Sequence, residues 1–166
     1  MKLGLGSYSY RWSIGHKDRT PSSPITCIEL LGITSKLDLD VLQIADNMPV
    51  HNIETQTLDQ LYRTAQKQGI NLEIGMQSFS TESIKLYLDI AQRLDARILR
   101  IALDGNDVGT SDDIIAKEFK NILPIAEKIN CKIAIENHFA FPSDRMANII
   151  KLVDEEYLGA CLDVAN

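Results

Sequence analysis

Apolar and polar positions follow two alternating periods along the whole chain. Short segments have the two-residue period of a strand, and longer segments with a helical period separate them. The strand-like segments begin near Lys2, Leu39, Ile70, Arg97, Cys131 and Leu158. Their starts lie 27 to 37 residues apart, close to the ~30 residues of a strand–helix–strand unit. The pattern therefore predicts six βα units that build a parallel sheet covered by helices.

The helical segments carry both apolar stripes and terminal signals. One stripe consists of Ile84, Tyr87, Leu88, Ala91 and Leu94, and a second of Ile115, Phe119, Ile122, Ala126 and Ile129. Ser80 and Ser111 are expected to cap helices, and Pro142 to open one. Gly69 is expected to end a helix in a left-handed conformation. The stretch 11–24, with its Gly, Pro and Ser content, is expected to be a loop after strand one.

An ionisable residue lies inside each of four successive apolar strands: Glu73, Arg100, Glu136 and Asp163. Because side chains alternate faces along a strand, their aliphatic neighbours point to the other face, where helices are expected to cover them. Those neighbours are Leu72 and Ile74, Leu99 and Ile101, Ile133 and Ile135, and Leu162 and Val164. Four such residues in register predict a polar site at the mouth of the sheet.

A doubly wound sheet and a (β/α) barrel are the two architectures that fit this order. The inward positions of strands one, three and five are Gly4, Gly6, Asn71, Glu73, Gly75, Ala134, Glu136 and His138. Small residues deep in the strands and polar ones near their carboxyl ends favour a barrel. A closed barrel has eight strands and about 250 residues. We therefore predict one α/β domain over residues 1–166, a parallel (β/α) barrel with six of its eight units, truncated after strand six.

Two outcomes follow from six strands. The simpler is a truncated chain or domain fragment, and the other is an open arrangement that self-association completes, because strands one and six would have unpaired edges. In the second case, the protein would be a homo-oligomer.

Composition narrows the classes of partner. The net charge of −6 and pI near 5.0 argue against a nucleic-acid backbone, which needs a basic surface. Apolar runs are far below the roughly 20 residues that cross a membrane, and the N-terminus lacks the apolar region of a secretory signal. The three cysteines lack metal-binding spacing, so buried thiols in a reducing cytoplasm are expected.

The chain resembles the xylose isomerase-like TIM-barrel superfamily, which includes sugar-phosphate isomerases and epimerases and the family 2 apurinic endonucleases. The resemblance lies in KLGLGSYSYRW at strand one, DVLQIAD at two, LEIGMQSF at three, LDARILRIAL at four, IAIENHF at five and LGACLDVAN at six. It implies that Glu136 and Asp163 bind a divalent metal. The family completes that site with a histidine after strand seven and a glutamate after strand eight. Asn166 stands where many members carry a histidine after strand six, and we expect it to contact substrate.

The two carboxylates have alternative interpretations. Glu136 would be a metal ligand and the base that removes a proton, or else a structural ion-pair partner of Arg100. Asp163 would be a metal ligand, or else the N-cap of a following helix. Oxygen ligands favour Mg²⁺ or Mn²⁺, although a histidine in the completed site could admit Zn²⁺ or Co²⁺.

The remaining candidates are expected to contact a small sugar or sugar phosphate. Arg100 would hold a phosphate or carboxylate through its planar fork, or else form a salt bridge with Glu73. For Glu73, the salt bridge with Arg100 is the preferred interpretation. Gln43 lies on the inward face of strand two, with Asp46 and Asn47 beginning the loop at the same rim.

His138 and Asn137 follow Glu136 directly. His138 shares the face of Glu136 at the rim, where it would contact substrate, or else pack on Phe139 or Phe141. Asn137 faces the other way in strict alternation and is expected to fix the loop backbone.

These expectations describe a metal-dependent isomerase or epimerase that abstracts a proton beside the carbonyl of a small ketose or polyol. Because six strands supply two metal ligands, weak metal binding and little turnover are predicted for the isolated 166 residues. The main alternative is a non-catalytic fragment or partner-binding module. An inosose-type dehydratase would use the same ligands, and an apurinic endonuclease would need more histidines than the three present.

Overall fold

The computed structural model describes residues 2–16, 19–105 and 107–164. The strands are β1 (Gly4–Gly6), β2 (Val41–Ile44), β3 (Asn71–Gln77), β4 (Ile98–Ala102), β5 (Lys132–Glu136) and β6 (Leu158–Cys161). The helices are α1 (Arg11–Ile14), α2 (Cys27–Lys36), α3 (Thr55–Gln68), α4 (Thr81–Leu94), α5 (Asp112–Lys128) and α6 (Ser143–Val153). Each strand begins within two residues of its predicted start, so the βα order is confirmed.

The sheet is entirely parallel, with strand order β1-β2-β3-β4-β5-β6. Consecutive strands are neighbours throughout, as in a barrel, whereas a doubly wound sheet reverses its order at a switch point. The pairing places Gly75 of β3 and Ala134 of β5 level with Arg100 of β4. Glu73 therefore lies two residues before that level, and Glu136 two residues after it. The charged residues share one face but not one level, so the expectation that they are in register was wrong; strands of a sheet that curls towards closure are staggered.

Helix termini follow most of the sequence signals. The Ser80 hydroxyl accepts a hydrogen bond from Ser83 N at 3.3 Å, and Gly69 adopts the left-handed conformation with φ +70°. Ser111 precedes α5 without a side-chain capping bond, and Pro142 precedes α6. The expected loop 11–24 is partly wrong, because its first four residues form the helical turn α1.

The outer face of the sheet packs against the helices. Six of the predicted outward aliphatics are 0–4% exposed: Leu72, Ile74, Leu99, Ile101, Ile133 and Ile135. Leu162 and Val164 are instead 77% and 99% exposed. The expectation that helices cover them was therefore wrong, and both residues lie past the end of β6. Cys27 and Cys131 are buried thiols, whereas Cys161 is half-buried. None of the helices in the described ranges is long and apolar enough to cross a membrane.

Candidate functional site

A buried guanidinium occupies the centre of the inner face. Arg100 of β4 is 6% exposed, and its Nη2 donates to Asp46 Oδ1 at 2.6 Å. Its Nη1 forms an ion pair with Glu136 Oε2 at the end of β5, where Glu136 is 7% exposed. One side chain thus joins the loop after β2 to the carboxyl end of β5. Charged side chains that are buried this deeply need partners of opposite charge, and Asp46 and Glu136 are the partners of Arg100.

The absence of a side chain at Gly75 makes room for Arg100. Gly75 is the β3 neighbour of Arg100 in the sheet. A Cβ atom there would lie 2.7 Å from Arg100 Nε and 3.4 Å from Ala45 Cα. The 2.7 Å contact is too short for a real Cβ atom, whereas 3.4 Å is within ordinary van der Waals contact. Glycine at this position therefore leaves room for the Arg100 side chain, whose Nη2 bonds to Asp46.

Asp46 is held in place by the turn that follows β1. The Tyr8 hydroxyl donates to Asp46 Oδ2 at 2.6 Å. Next to it, the buried Ser7 hydroxyl accepts from Ala45 N at 2.9 Å and donates to Asn47 Oδ1 at 2.5 Å. Burial, followed by the hydrogen bond and charge of Asp46, raises the pKa of Tyr8 to about 12. Tyr8 is therefore a neutral donor to Asp46 at neutral pH.

Glu73 and Gln43 form a second polar pair nearer the amino end of the inner face. Gln43 Nε2 donates to Glu73 Oε2 at 3.0 Å, and the two residues are partners in the β2–β3 register. The expected salt bridge between Glu73 and Arg100 was therefore wrong. The stagger of the strands places Gly75, not Glu73, beside Arg100.

The end of β5 is tied to the segment after β6 by one side chain. Asn137 Nδ2 donates to the Asp163 carbonyl oxygen at 2.8 Å, and Asn137 Oδ1 accepts from Asp163 N at 2.7 Å. The expectation that Asn137 fixes the loop backbone is confirmed. Since Cys161 is the β6 partner of Glu136, continued alternation puts Asp163 on the face of Glu136.

Cys161, the β6 partner of Glu136, lies half-buried on the inner face. Burial is the main cause of its raised thiol pKa; Arg100 lowers that pKa, and Glu73 and Asp163 raise it further. Asp163 and Glu73 thus contribute to one electrostatic environment.

His138 packs against Phe139, as one of its two predicted roles described. Its ring contacts the Phe139 ring with centroids 4.1 Å apart, and Phe139 itself is 83% exposed. Its Nδ1 is buried and has no hydrogen-bond partner within the part of the chain that the structure describes. Asn166, the other rim candidate, lies outside the described residues.

Sequence reasoning missed the specific partners of Arg100. Asp46 was recognised as a rim residue, but alternation along β2 gives it the outward face, and the turn at Ala45 brings it back to Arg100. Tyr8 carried no prediction of its own and appeared only within the motif KLGLGSYSYRW. The available signal was position: both residues directly follow the carboxyl ends of neighbouring parallel strands, where ligand sites form.

The described residues do not form a complete metal site. Across residues 2–16, 19–105 and 107–164, no three His, Cys, Asp or Glu side chains cluster closely enough to hold a metal ion. Carboxylate oxygens such as those of Glu136 and Asp163 are the kind of donor that Mg²⁺ and Mn²⁺ prefer. They fit two positions of a ligand set and do not complete it.

Known proteins are similar to this chain in sequence or fold. The 3-oxo-isoapionate decarboxylase of Pectobacterium atrosepticum is 26% identical over 166 residues, which are 100% of this chain and 59% of that protein. D-psicose 3-epimerase from Clostridium cellulolyticum H10, solved with D-tagatose, aligns with a TM-score of 0.74 at 18% identity, covering 98% of this chain and 63% of that one. The IolI protein with a bound zinc atom gives 0.68 at 16% identity, covering 96% and 62%.

These likenesses define fold and family. The identities to the solved structures are low, so those structures show the fold alone, a parallel TIM-type barrel. The chain spans about three fifths of the length of the proteins it matches. The family model described as xylose isomerase-like TIM barrel matches residues 31–166. The chain therefore belongs to the xylose isomerase-like TIM barrel family, as its motifs indicated.

Proposed function

We propose that the protein is a metal-dependent sugar isomerase or epimerase that works by proton abstraction beside a carbonyl. The observation that carries this proposal is the cluster of charged residues on the inner face. There Asp46 and Glu136 pair with the guanidinium of Arg100, and Arg100, Glu73 and Asp163 all act on the half-buried thiol of Cys161. In parallel barrels, substrates bind at the carboxyl ends of the strands. Asp46, Glu136 and Asp163 lie at that end, and their carboxylates suit a divalent cation and a polyhydroxylated ligand.

Glu136 and Asp163 are the residues we assign to a divalent metal. Mg²⁺ or Mn²⁺ agrees best with oxygen donors, although the zinc atom of the IolI protein keeps Zn²⁺ open. When bound, such an ion polarises a carbonyl and stabilises developing negative charge on its oxygen. The remaining ligands would come from outside the described residues.

Glu136 is the group we assign to the proton transfer. It lies at the carboxyl end of β5, buried and in contact with Arg100. A carboxylate held in one orientation in a dry site can take the proton from the carbon beside a substrate carbonyl. Arg100 orients Glu136, since both of its Nη atoms are engaged by carboxylates. We therefore assign Arg100 to positioning and not to a substrate phosphate, which favours an uncharged sugar at this point.

Polar groups around the two carboxylates would bind the sugar hydroxyls. Gln43 and Glu73 offer donors and acceptors deeper on the inner face. His138 has a buried Nδ1 at the rim, and we also assign Asn166 to substrate contact. A D-psicose 3-epimerase solved with D-tagatose supports a small ketose as the substrate class.

The direct test is exchange of the substrate proton with solvent. Full-length protein with Mn²⁺ is incubated with ketohexoses and ketopentoses in D₂O, and NMR follows deuterium at the carbon beside the carbonyl. Glu136→Gln should lower the exchange rate by about 10²- to 10⁴-fold, because it removes the base. Glu156→Gln, at an exposed surface pair with Lys132, is the matched control and should leave the rate unchanged. A Glu136→Gln rate within threefold of wild type would contradict the assignment.

Decarboxylation is a second candidate, favoured by the whole-chain likeness to 3-oxo-isoapionate decarboxylase. Cleavage of a carbon–carboxylate bond beside a ketone leaves its electron pair as an enolate, the same kind of species that proton abstraction creates. Carbon dioxide leaves, and a proton is added to carbon afterwards. Release of CO₂ from a 3-oxo sugar acid, without deuterium exchange into ketoses, would select this activity over isomerisation.

A further inference from the structure

The Asn137 side chain continues the sheet where the strands themselves have ended. The last paired residues of β5 and β6 are Glu136 and Cys161, and Asn137 N still donates to Cys161 O at 3.3 Å. Beyond that point the Asn137 amide takes over, with one hydrogen bond to each backbone polar group of Asp163, at 2.8 and 2.7 Å. Asp163 is therefore held in the plane of the sheet two residues past the end of β6.

An amide side chain is suited to this task because it carries a donor and an acceptor side by side. Asn137 Nδ2 needs the carbonyl of Asp163, and Asn137 Oδ1 needs its N–H, so both functions are used at once. Alanine has neither group, and aspartate lacks the donor. The two bonds also fix which way the Asp163 backbone faces, and through it where its carboxylate points.

We propose that Asn137 is a positioning residue that sets the Asp163 carboxylate opposite that of Glu136. This inference rests on the proposed function, in which those two carboxylates share one cation. Metal–oxygen bonds of about 2.0–2.6 Å tolerate little displacement of a ligand. Asp163 follows the exposed Leu162 after β6, and Asn137 holds both of its backbone polar groups. Asn137 directly follows Glu136 in the sequence and is hydrogen-bonded to Asp163, so it contacts both proposed ligand residues.

The test measures both the clamp and its effect on metal binding. Full-length wild type, Asn137→Ala and Asn137→Gln are compared by hydrogen exchange across residues 158–164 and by Mn²⁺ titration with EPR detection. In Asn137→Ala, the Asp163 amide should exchange roughly five- to tenfold faster, since its acceptor is lost. Mn²⁺ affinity should fall about 10- to 100-fold, as for other residues that orient metal ligands. Asn137→Gln retains both amide functions and should recover most of each effect.

Two controls separate this inference from the proposed function. Asn148→Ala removes an amide that binds Asp112 on the exposed side of α6 and should leave both measurements at wild-type values. Asp163→Asn should abolish most Mn²⁺ binding if the proposed function holds. Affinity lost in Asp163→Asn but unchanged in Asn137→Ala would overturn the positioning role alone. Affinity unchanged in Asp163→Asn would overturn the proposed metal site itself, and the positioning role with it.

Discussion

The replacement of Gly75 by alanine tests the geometry of the buried charge cluster. The new Cβ would lie 2.7 Å from Arg100 Nε and 3.2 Å from its Nη2. Non-bonded carbon contacts are most favourable near 3.5–4.0 Å, so one of the partners must move by roughly 0.8 Å. The new Cβ would also already be in van der Waals contact with the backbone, at 3.4 Å from Ala45 Cα. We therefore expect the Arg100 side chain to move, which would weaken its bond to Asp46.

The expected loss combines two effects. Overpacking a well-packed interior costs about 1–3 kcal/mol. Weakening a buried hydrogen bond between charged groups, here the 2.6 Å contact from Arg100 to Asp46, costs about 1.5–3 kcal/mol. Since the two effects share one displacement and are not independent, we expect a total of about 3 kcal/mol. With a urea m-value of about 2 kcal/mol/M, the unfolding midpoint should fall by about 1.5 M.

Urea unfolding of the full-length protein, followed by circular dichroism, measures this shift. Gly159→Ala is the matched control, because Gly159 lies on the same face and level of the sheet, beside Ala134. No described heavy atom lies within 4 Å of a Cβ built there, and the change should be neutral or stabilise by about 0.4–1 kcal/mol. If Gly75→Ala unfolds within 0.3 M of Gly159→Ala, Arg100 does not occupy the space above Gly75 and the description of the cluster is wrong.

Two further predictions test the surroundings of this cluster. Burial and the charge of Asp46 raise the pKa of both Tyr8 and Tyr87 to about 12, so tyrosinate absorbance should show two late-titrating groups, and Tyr8→Phe and Tyr87→Phe should each remove one. Because the pKa of each phenol is higher in the folded protein than in the unfolded chain, folding favours the neutral form. The stability that the neutral phenols provide is therefore present below pH 10 and is lost as the pH rises through 12. Arg145 donates to Asp112 and to two carbonyls of the loop before α5, so Arg145→Lys should cost about 1–2 kcal/mol in urea unfolding. Arg93→Lys, at an exposed pair, should cost under about 0.5 kcal/mol, and equal losses at the two sites would contradict the loop-anchoring role.

The order of elements was predictable because each strand and helix carries its own period. The stripe that ends at Leu94 faces the sheet, as the spacing of its residues indicates. The offset between strands was not predictable in the same way. Alternation shows which face Glu73 and Arg100 occupy, but it does not show how far one strand slides along the next. That offset, two residues between Glu73 and the level of Arg100, decided which residues could meet.

The partners of Arg100 show the same limit at the scale of the site. A buried arginine in a strand must be compensated, and the sequence offered Glu73 and Glu136 as candidates. Glu136 does form the pair, whereas Asp46 takes the place expected for Glu73. Two features decide this outcome, the missing side chain at Gly75 and the turn after β2. Neither leaves a periodic signal, because both depend on how separate strands are placed in space.

Under the proposed function, the charge arrangement on the inner face favours a divalent cation together with an uncharged sugar. Arg100 is bonded to Asp46 and Glu136, while Glu73 and Asp163 also act on the adjacent Cys161. Acidic side chains therefore outnumber the guanidinium of Arg100 among these residues. A phosphate would add to that excess, whereas a divalent ion would reduce it and attract the carbonyl and hydroxyl oxygens of a ketose. The same excess accounts for the role of Arg100 as an internal counter-ion, because an arginine that bound substrate would leave Glu136 buried without its compensating charge.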